Sequence, residues 1–246
     1  MEPVITKVAL TEIADLRKHF LAEANIEFIL DKAHLYGWAD NYLFTVDGSK
    51  AGYGCVWGKD DRKERDTVFE FYLEESYRGE INLFFSMFVS LSKAHFIEAQ
   101  TNDIFLAPMF FEYACEINTE SILFEESFES TLSIPGAKLE AKQDPEASKF
   151  DKQFILTYNG EPVGSGGLML NYNFPYADIY YGVEEQHRRK GFGSFIVQEL
   201  KRAAYEIGRV PSARCNVNNS ISKRTMMKAG LTPCGWRLGG KVRVKR

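Results

Sequence analysis

Between residues 10 and 35 the apolar side chains Ile13, Leu16, Phe20, Leu21, Ile26, Ile29 and Leu30 recur at helical spacing, which predicts two short helices. The period then shortens. Residues 42–46 and 51–57 flank Asp47-Gly48, a pair that readily takes the positive φ of a tight turn, and together they predict a hairpin. Residues 68–73 predict a third strand. Residues 81–96, with Leu83, Phe84, Phe85, Met87, Phe88 and Leu91, predict a helix so apolar that it must be well buried. The most apolar run, residues 104–113, contains Pro108 and Glu112. It falls short of the roughly 20 residues a membrane span needs and reads as another buried helix.

Short strand-like runs follow at residues 121–124 and 130–134, with a turn at Pro135-Gly136. The polar stretch 140–152 places a domain boundary near Ala141, giving domains 1–140 and 141–246. Beyond it the order of elements repeats: a strand at 154–158, the turn Asn159-Gly160, and strands at 163–170 and 178–183. Two alignments carry the repeat. Asp47-Gly48 matches Asn159-Gly160, and Leu73-Glu74-Glu75-Ser76-Tyr77-Arg78 matches Val183-Glu184-Glu185-Gln186-His187-Arg188. Both copies enter a Glu-Glu turn, pass an Arg and open an apolar helix, as duplication of one α/β unit produces. After the Arg they diverge: Gly79-Glu80-Ile81-Asn82 in the first copy, Arg189-Lys190-Gly191-Phe192-Gly193-Ser194 in the second.

Composition narrows the class. The 246 residues are 45% apolar and 26% charged, ordinary values for a globular protein, which excludes a disordered, collagen-like or disulfide-stapled chain. Thirty Lys and Arg against 34 Asp and Glu leave a net charge of -4 and no general field toward nucleic acid or anionic lipid. Any anion site must be local, and neither nucleic acid nor a membrane is an expected partner. Cys55, Cys115, Cys215 and Cys234 are widely separated, and residues 1–20 lack a signal-peptide core, so a reduced cytoplasmic protein is expected. His19, His34 and His95 have no partner at ligand spacing, and no metal site is expected.

The second copy supplies the local anion site. In Arg188-Arg189-Lys190-Gly191-Phe192-Gly193 two glycines let the backbone approach a ligand where a strand gives way to a helix. The helix N-terminus contributes about half a positive charge, and the three cations add full ones, so a diphosphate suits the place. A third glycine at dinucleotide-fold spacing and the Gly-Lys-Ser/Thr ending of a P-loop are both missing.

This segment, a strand followed by Arg188-x-x-Gly191-x-Gly193, closely resembles the acyl-CoA loop of the GCN5-related N-acetyltransferases, whose pattern is Gln/Arg-x-x-Gly-x-Gly/Ala. The later run from Asn219 through Ser222 to Gly230-Leu231 resembles that family's last motif, an Asn-x-x-Ala/Ser helix ending in Gly-Phe. The resemblance covers about residues 154–231. It implies an α/β chain with a mixed sheet, built as two tandem GNAT-like acyl-CoA N-acyltransferase domains, the first a degenerate copy without the loop glycines.

Carried over, the resemblance implies that Arg188, Arg189, Lys190, Gly191, Phe192, Gly193 and Ser194 hold the pyrophosphate of acetyl-CoA. Val183 would pair with the pantetheine arm and offer a backbone N–H to the oxyanion, and Asn219 and Ser222 would contact the same cosubstrate. Lys223 and Arg224 read as a solvated helix face near the nucleotide phosphates. Cys215 and Asn216 are expected to line the pocket.

Asp178, on the strand feeding the loop, is the candidate base for a primary amine of a small molecule or peptide. Glu184 and Glu185 are expected to pair with Arg188 or Arg189, and His187 to be a solvated loop residue. Met226 stands where the family often has a proton-donating Tyr. The implied activity is acetyl transfer from acetyl-CoA by direct attack in a ternary complex. Two alternatives remain: an acyl-CoA-binding regulatory protein with little catalysis, and an aminoacyl transferase. The sequence specifies neither the acceptor nor the oligomeric state.

Overall fold

The computed structural model describes residues 2–142 and 148–243. The chain packs into two compact units, one comprising Met1–Ile26, Leu30–Glu120 and Trp236–Arg246, the other Glu27–Ile29 and Ser121–Gly235. Among the described residues no helix is long and apolar enough to cross a membrane.

The first unit runs β1 (Pro3–Val8), α1 (Ala14–Ala24), α2 (Asp31–Leu35), β2 (Ala39–Val46), β3 (Ser49–Trp57), β4 (Thr67–Leu73), α3 (Ile81–Ser92), β5 (Phe96–Gln100), α4 (Leu106–Tyr113) and the start of β6 (Ala114–Glu126). Asp47 and Gly48, at φ 50° and 80°, form the predicted hairpin turn between β2 and β3. β1 to β4 are antiparallel neighbours, whereas β4 and β5 run parallel and pair only at Thr67 with Phe96 and Val68 with Ile97. The apolar stretch 81–96 is not one helix. Lys93 takes φ 56°, ending α3, and the chain re-enters the sheet at Phe96. Phe44, Phe71, Phe84 and Phe88 stack into the core beneath.

This unit also buries a charged network that no sequence spacing announced. Arg17 grips both oxygens of Glu70, at 3.0 and 2.9 Å, and reaches Asp31 at 2.6 Å. Tyr53 donates to the same carboxylate at 3.0 Å, and His34 Nε2 lies 3.3 Å from it. Arg17 and His34 outweigh the cost of burial and hold the Glu70 carboxyl well below the usual range. His34, Cys55 and Glu70 bring their ligand-type atoms within 4.8 Å of one another, a cluster the sequence spacing did not reveal. Arg17 already neutralises Glu70 there.

The second unit contains the rest of β6, then β7 (Ala137–Ala141), β8 (Asp151–Tyr158), β9 (Glu161–Met169), β10 (Tyr176–Val183), α5 (Phe192–Glu206), β11 (Val210–Asn216), α6 (Ser220–Lys228) and the first residues of β12 (Leu231–Val242). β7 to β10 are antiparallel neighbours and β11 runs parallel to β10. Asn159 and Gly160, at φ 51° and 88°, repeat the hairpin turn of the first unit. α5 lays Ile196, Val197 and Leu200 on this sheet, each fully buried, which contributes roughly 1.5–3 kcal/mol apiece.

Two sequence readings shift here. Ala141 ends β7 and pairs with Phe154, so the expected boundary falls inside the second unit, and the units divide at Glu120 and Ser121. Residues 143–147 of the polar stretch lie outside the described residues. Residues 130–134 are not a strand. The Gln198 side chain occupies both backbone groups of Leu132, accepting at 2.6 Å and donating at 2.9 Å, so that segment does not depend on a sheet partner.

Candidate active site

The site begins where β10 and β11 part. Their parallel pairing runs from Tyr176 with Val210 to Ile179 with Ala213 and stops there among the described residues. β11 continues as Arg214–Asn216 against β6, while β10 continues against β9 to Val183. Glu184 N–H donates to Val163 C=O at 3.0 Å, which sets the alternation of the antiparallel pair. Gly182 and Tyr180 therefore turn their backbone groups to β9, and Tyr181 and Val183 turn theirs toward the side β11 has left. A gap lined by backbone donors and acceptors results.

At the open end of that gap the chain makes a 3-10 turn at Glu185–His187 and enters α5. Arg189 and Gly191 sit at φ 63° and 90°, bending the backbone into a concave turn just before the helix. Gly191 is the N-cap and carries no capping side chain, so the first N–H groups of α5 face outward. A Cβ at Gly193 would lie 3.1 Å from Thr225 Cγ2 and 3.4 Å from Tyr181 Cε2, so glycine lets α5 approach both α6 and β10. Arg188, Arg189 and Lys190 are exposed around the turn. Helix dipole, open amides and three cations fit a diphosphate.

The other expected contacts take specific places. Phe192 is buried against Tyr158, with His187 at its edge. Ser194 turns its hydroxyl to Thr225 C=O at 3.1 Å, which leaves it a backbone contribution at the helix start. Asn219 is the N-cap of α6 and accepts from Ser222 N–H at 3.0 Å. Lys223 and Arg224 lie on α6, half-buried and exposed respectively. Cys215 is buried on β11 and Asn216 is exposed at its end. Met226 is core, 2% exposed.

Two expectations are corrected. Among the described residues no ion pair joins Glu184 or Glu185 to Arg188 or Arg189; Arg188 instead donates from Nε to Val183 C=O at 3.3 Å. Asp178 does lie on β10, but in the closed part of the strand pair. It is 1% exposed, and Arg214 reaches its carboxylate at 3.2 Å. Arg214 also lies over the rings of Tyr172 and Phe28. The Asp178 carboxylate is committed to the Arg214 guanidinium within the paired part of β10 and β11, not at the open gap.

Sequence reasoning left Tyr181 unassigned. Its hydroxyl lies 2.9 Å from Ser222 Oγ, so its side chain reaches from β10 to the first turn of α6.

Comparisons place this geometry. Residues 119–231 match the model of the acetyltransferase (GNAT) family. Among solved structures the chain is similar to a GNAT-family acetyltransferase from Colwellia psychrerythraea, at 14% identity and TM-score 0.77, covering 98% of this chain and 100% of that one. It is also similar to a tandem GNAT protein from the clavulanic acid biosynthesis pathway, at 11% identity and TM-score 0.66, covering all of both chains. A GCN5-related N-acetyltransferase from Sphaerobacter thermophilus aligns at 13% identity and TM-score 0.60 over 99% of this chain and 97% of that one. At such identities these likenesses show the fold, which is that of a tandem GNAT chain. No curated protein matches the sequence.

Proposed function

From the match of residues 119–231 to the acetyltransferase (GNAT) family model, we propose that the protein transfers an acetyl group from acetyl-CoA to a primary amine of a small molecule or peptide. The observation that carries this reading is the gap between β10 and β11 opening directly onto the uncapped start of α5. A diphosphate on the turn and an extended arm along the strand edge would be bound by one continuous run of backbone.

In this reading the amides of residues 188–194 hold the pyrophosphate, with Arg188, Arg189 and Lys190 adding charge. Val183 offers its N–H toward the gap, while its carbonyl is engaged by Arg188. Such a fixed N–H polarises a thioester carbonyl and stabilises the oxyanion formed when the amine attacks. The amine must arrive neutral, and its proton leaves through the open side of the gap.

A second reading, acyl-CoA binding with little turnover, is favoured by one observation: Met226 is buried in the core and cannot donate a proton. Thermal melting with and without excess acetyl-CoA, beside adenosine diphosphate as a partial ligand, tests the shared premise. At 100 times Kd, binding adds about 2.7 kcal/mol, and a chain of this size melts roughly 2–4 °C higher per kcal/mol. A clear rise followed by turnover on an amine panel supports the transferase. A rise without turnover supports the second reading, and no rise removes both.

A further inference from the structure

We propose that the first unit carries a ligand site of its own, a recess over Gly239 that takes a small organic cation with a primary ammonium group. The recess lies wholly within that unit and is independent of the acyl-CoA reading above.

The recess begins with a missing side chain. Glu98 on β5 faces Gly239 on β12 across an antiparallel pair, where two facing side chains normally stand about 4.5–5.5 Å apart at Cβ. Glycine leaves that place open. A Cβ there would meet Lys59 Nζ at 3.4 Å, Asn118 Oδ1 at 3.5 Å and Glu120 Oε1 at 3.6 Å, so polar atoms from the chain after β3 and from β6 ring the space. The cavity so formed holds about 240 Å³. At roughly 30 Å³ per water that is room for about eight waters, or for a ligand with a similar number of heavy atoms.

The walls call for a donor. Glu98 is 4% exposed; Arg237 holds one of its oxygens, and the other, Oε2, is buried with no partner among the described residues. Leaving a buried carboxylate oxygen without a donor costs free energy, which a ligand N–H recovers. The charges agree. Asp60, Asp66, Glu98 and Glu116 line the recess against Lys59 and Lys241, and both lysines are already taken, Lys59 by Glu120 and Lys241 by Glu116 at 2.6 Å. Arg62 is drawn instead over the Trp57 ring, 4.4 Å from its centre. A ligand here must bring positive charge and N–H groups, which an anion such as phosphate does not.

An ammonium suits these walls better than a metal ion. It carries three N–H donors in diverging directions, which match acceptors spread around a recess. A divalent ion needs several oxygens converging at about 2.0–2.6 Å. Among the described residues the ligand-type side chains that converge in a group of three are His34, Cys55 and Glu70, none of which lines this recess. Phe96, on the wall beside Thr67, offers apolar surface to a short carbon chain.

Calorimetry on the full chain at low ionic strength tests the site, with propane-1,3-diamine as the probe, propane-1,3-diol as its uncharged counterpart and magnesium chloride as the inorganic cation. The diamine should bind saturably and at least about tenfold more tightly than either, the difference being charge-assisted hydrogen bonds to carboxylate. Gly239→Val fills the ring and leaves every charge in place, and it should weaken the diamine about tenfold or more. Glu98→Gln should do the same by removing the buried charge, and either variant carries the test if the other does not fold. Diamine binding that neither change touches lies elsewhere in the protein, an acceptor site in the second unit included, and overturns the proposal. Equal affinity for diamine and diol, a preference for magnesium, or no saturable binding overturns it as well.

Discussion

Arg188 donates from Nε to the carbonyl of Val183 at 3.3 Å, and at the matching place in the first unit Arg78 donates from Nε to the carbonyl of Leu73 at 3.0 Å. The pairs share more than spacing. Glu184 N–H bonds Val163 C=O just as Glu74 N–H bonds Ala51 C=O, and each Glu carbonyl then receives the N–H three residues on. The repeat in sequence is thus a repeat in hydrogen bonds. What differs is the helix entry, where the second unit has Gly191 at φ 90° and the first continues through Glu80 at φ -107°.

Gly191→Asp should abolish CoA binding. A Cβ at φ 90° is strained, and the added carboxylate would meet the phosphates. Calorimetry with acetyl-CoA on a variant shown to be folded by circular dichroism checks this; unchanged affinity would move the anion site elsewhere.

Asp178→Asn should cost about 2–4 kcal/mol of stability, because Arg214 keeps its charge in a largely buried place and loses its counter-ion. The pH profile of turnover should keep its shape. A shifted limiting pKa in that profile would restore Asp178 as the base.

Lys201 is a buried tether between the β6 end and the last turn of α6. It donates to Phe128 C=O at 2.7 Å and Ala229 C=O at 3.1 Å, and pairs with Glu126 at 2.9 Å, on the wall of a cavity of about 520 Å³ at the far end of α5. Lys201→Met should lower stability by about 2–4 kcal/mol by leaving those acceptors unpaired. Urea denaturation measures it, and a loss below about 0.5 kcal/mol would show that water replaces the ammonium.

Asp103 links stability to pH. Its carboxylate accepts from Phe105 and Leu106 N–H at the start of α4, yet burial dominates and raises its pKa from the usual value to about 6. Between about pH 4 and 6 the folded state therefore holds a proton that the unfolded state has lost, so this group's contribution falls as pH rises through that window. Asp103→Asn should flatten the stability profile there. A profile parallel to that of the unmodified protein would show that Asp103 is charged when folded.

Local chemistry made some of this fold legible. Asp47-Gly48 and Asn159-Gly160 announce their hairpins because a positive φ is a property of two adjacent residues, and Gly191 marks the loop for the same reason. The expected helix at 81–96 contains a real helix but overran it, since apolar content alone does not reveal the left-handed turn at Lys93 that returns the chain to β5. The repeat was visible because duplication preserved the short motif at each strand end.

What required the tertiary structure were relations between residues far apart in the chain. Periodicity identifies a strand but not its neighbours, so neither the parting of β10 from β11 at Ile179 nor the membership of β12, divided between units at Gly235 and Trp236, could be read locally. Asp178 has the sequence surroundings of an accessible carboxylate, and only folding sets Arg214 beside it. Tyr181 looks like a wall residue until α6 brings Ser222 to its hydroxyl. Turns and helix starts follow from the backbone preferences of adjacent residues, whereas burial and charge pairing follow from which distant segments the core brings together.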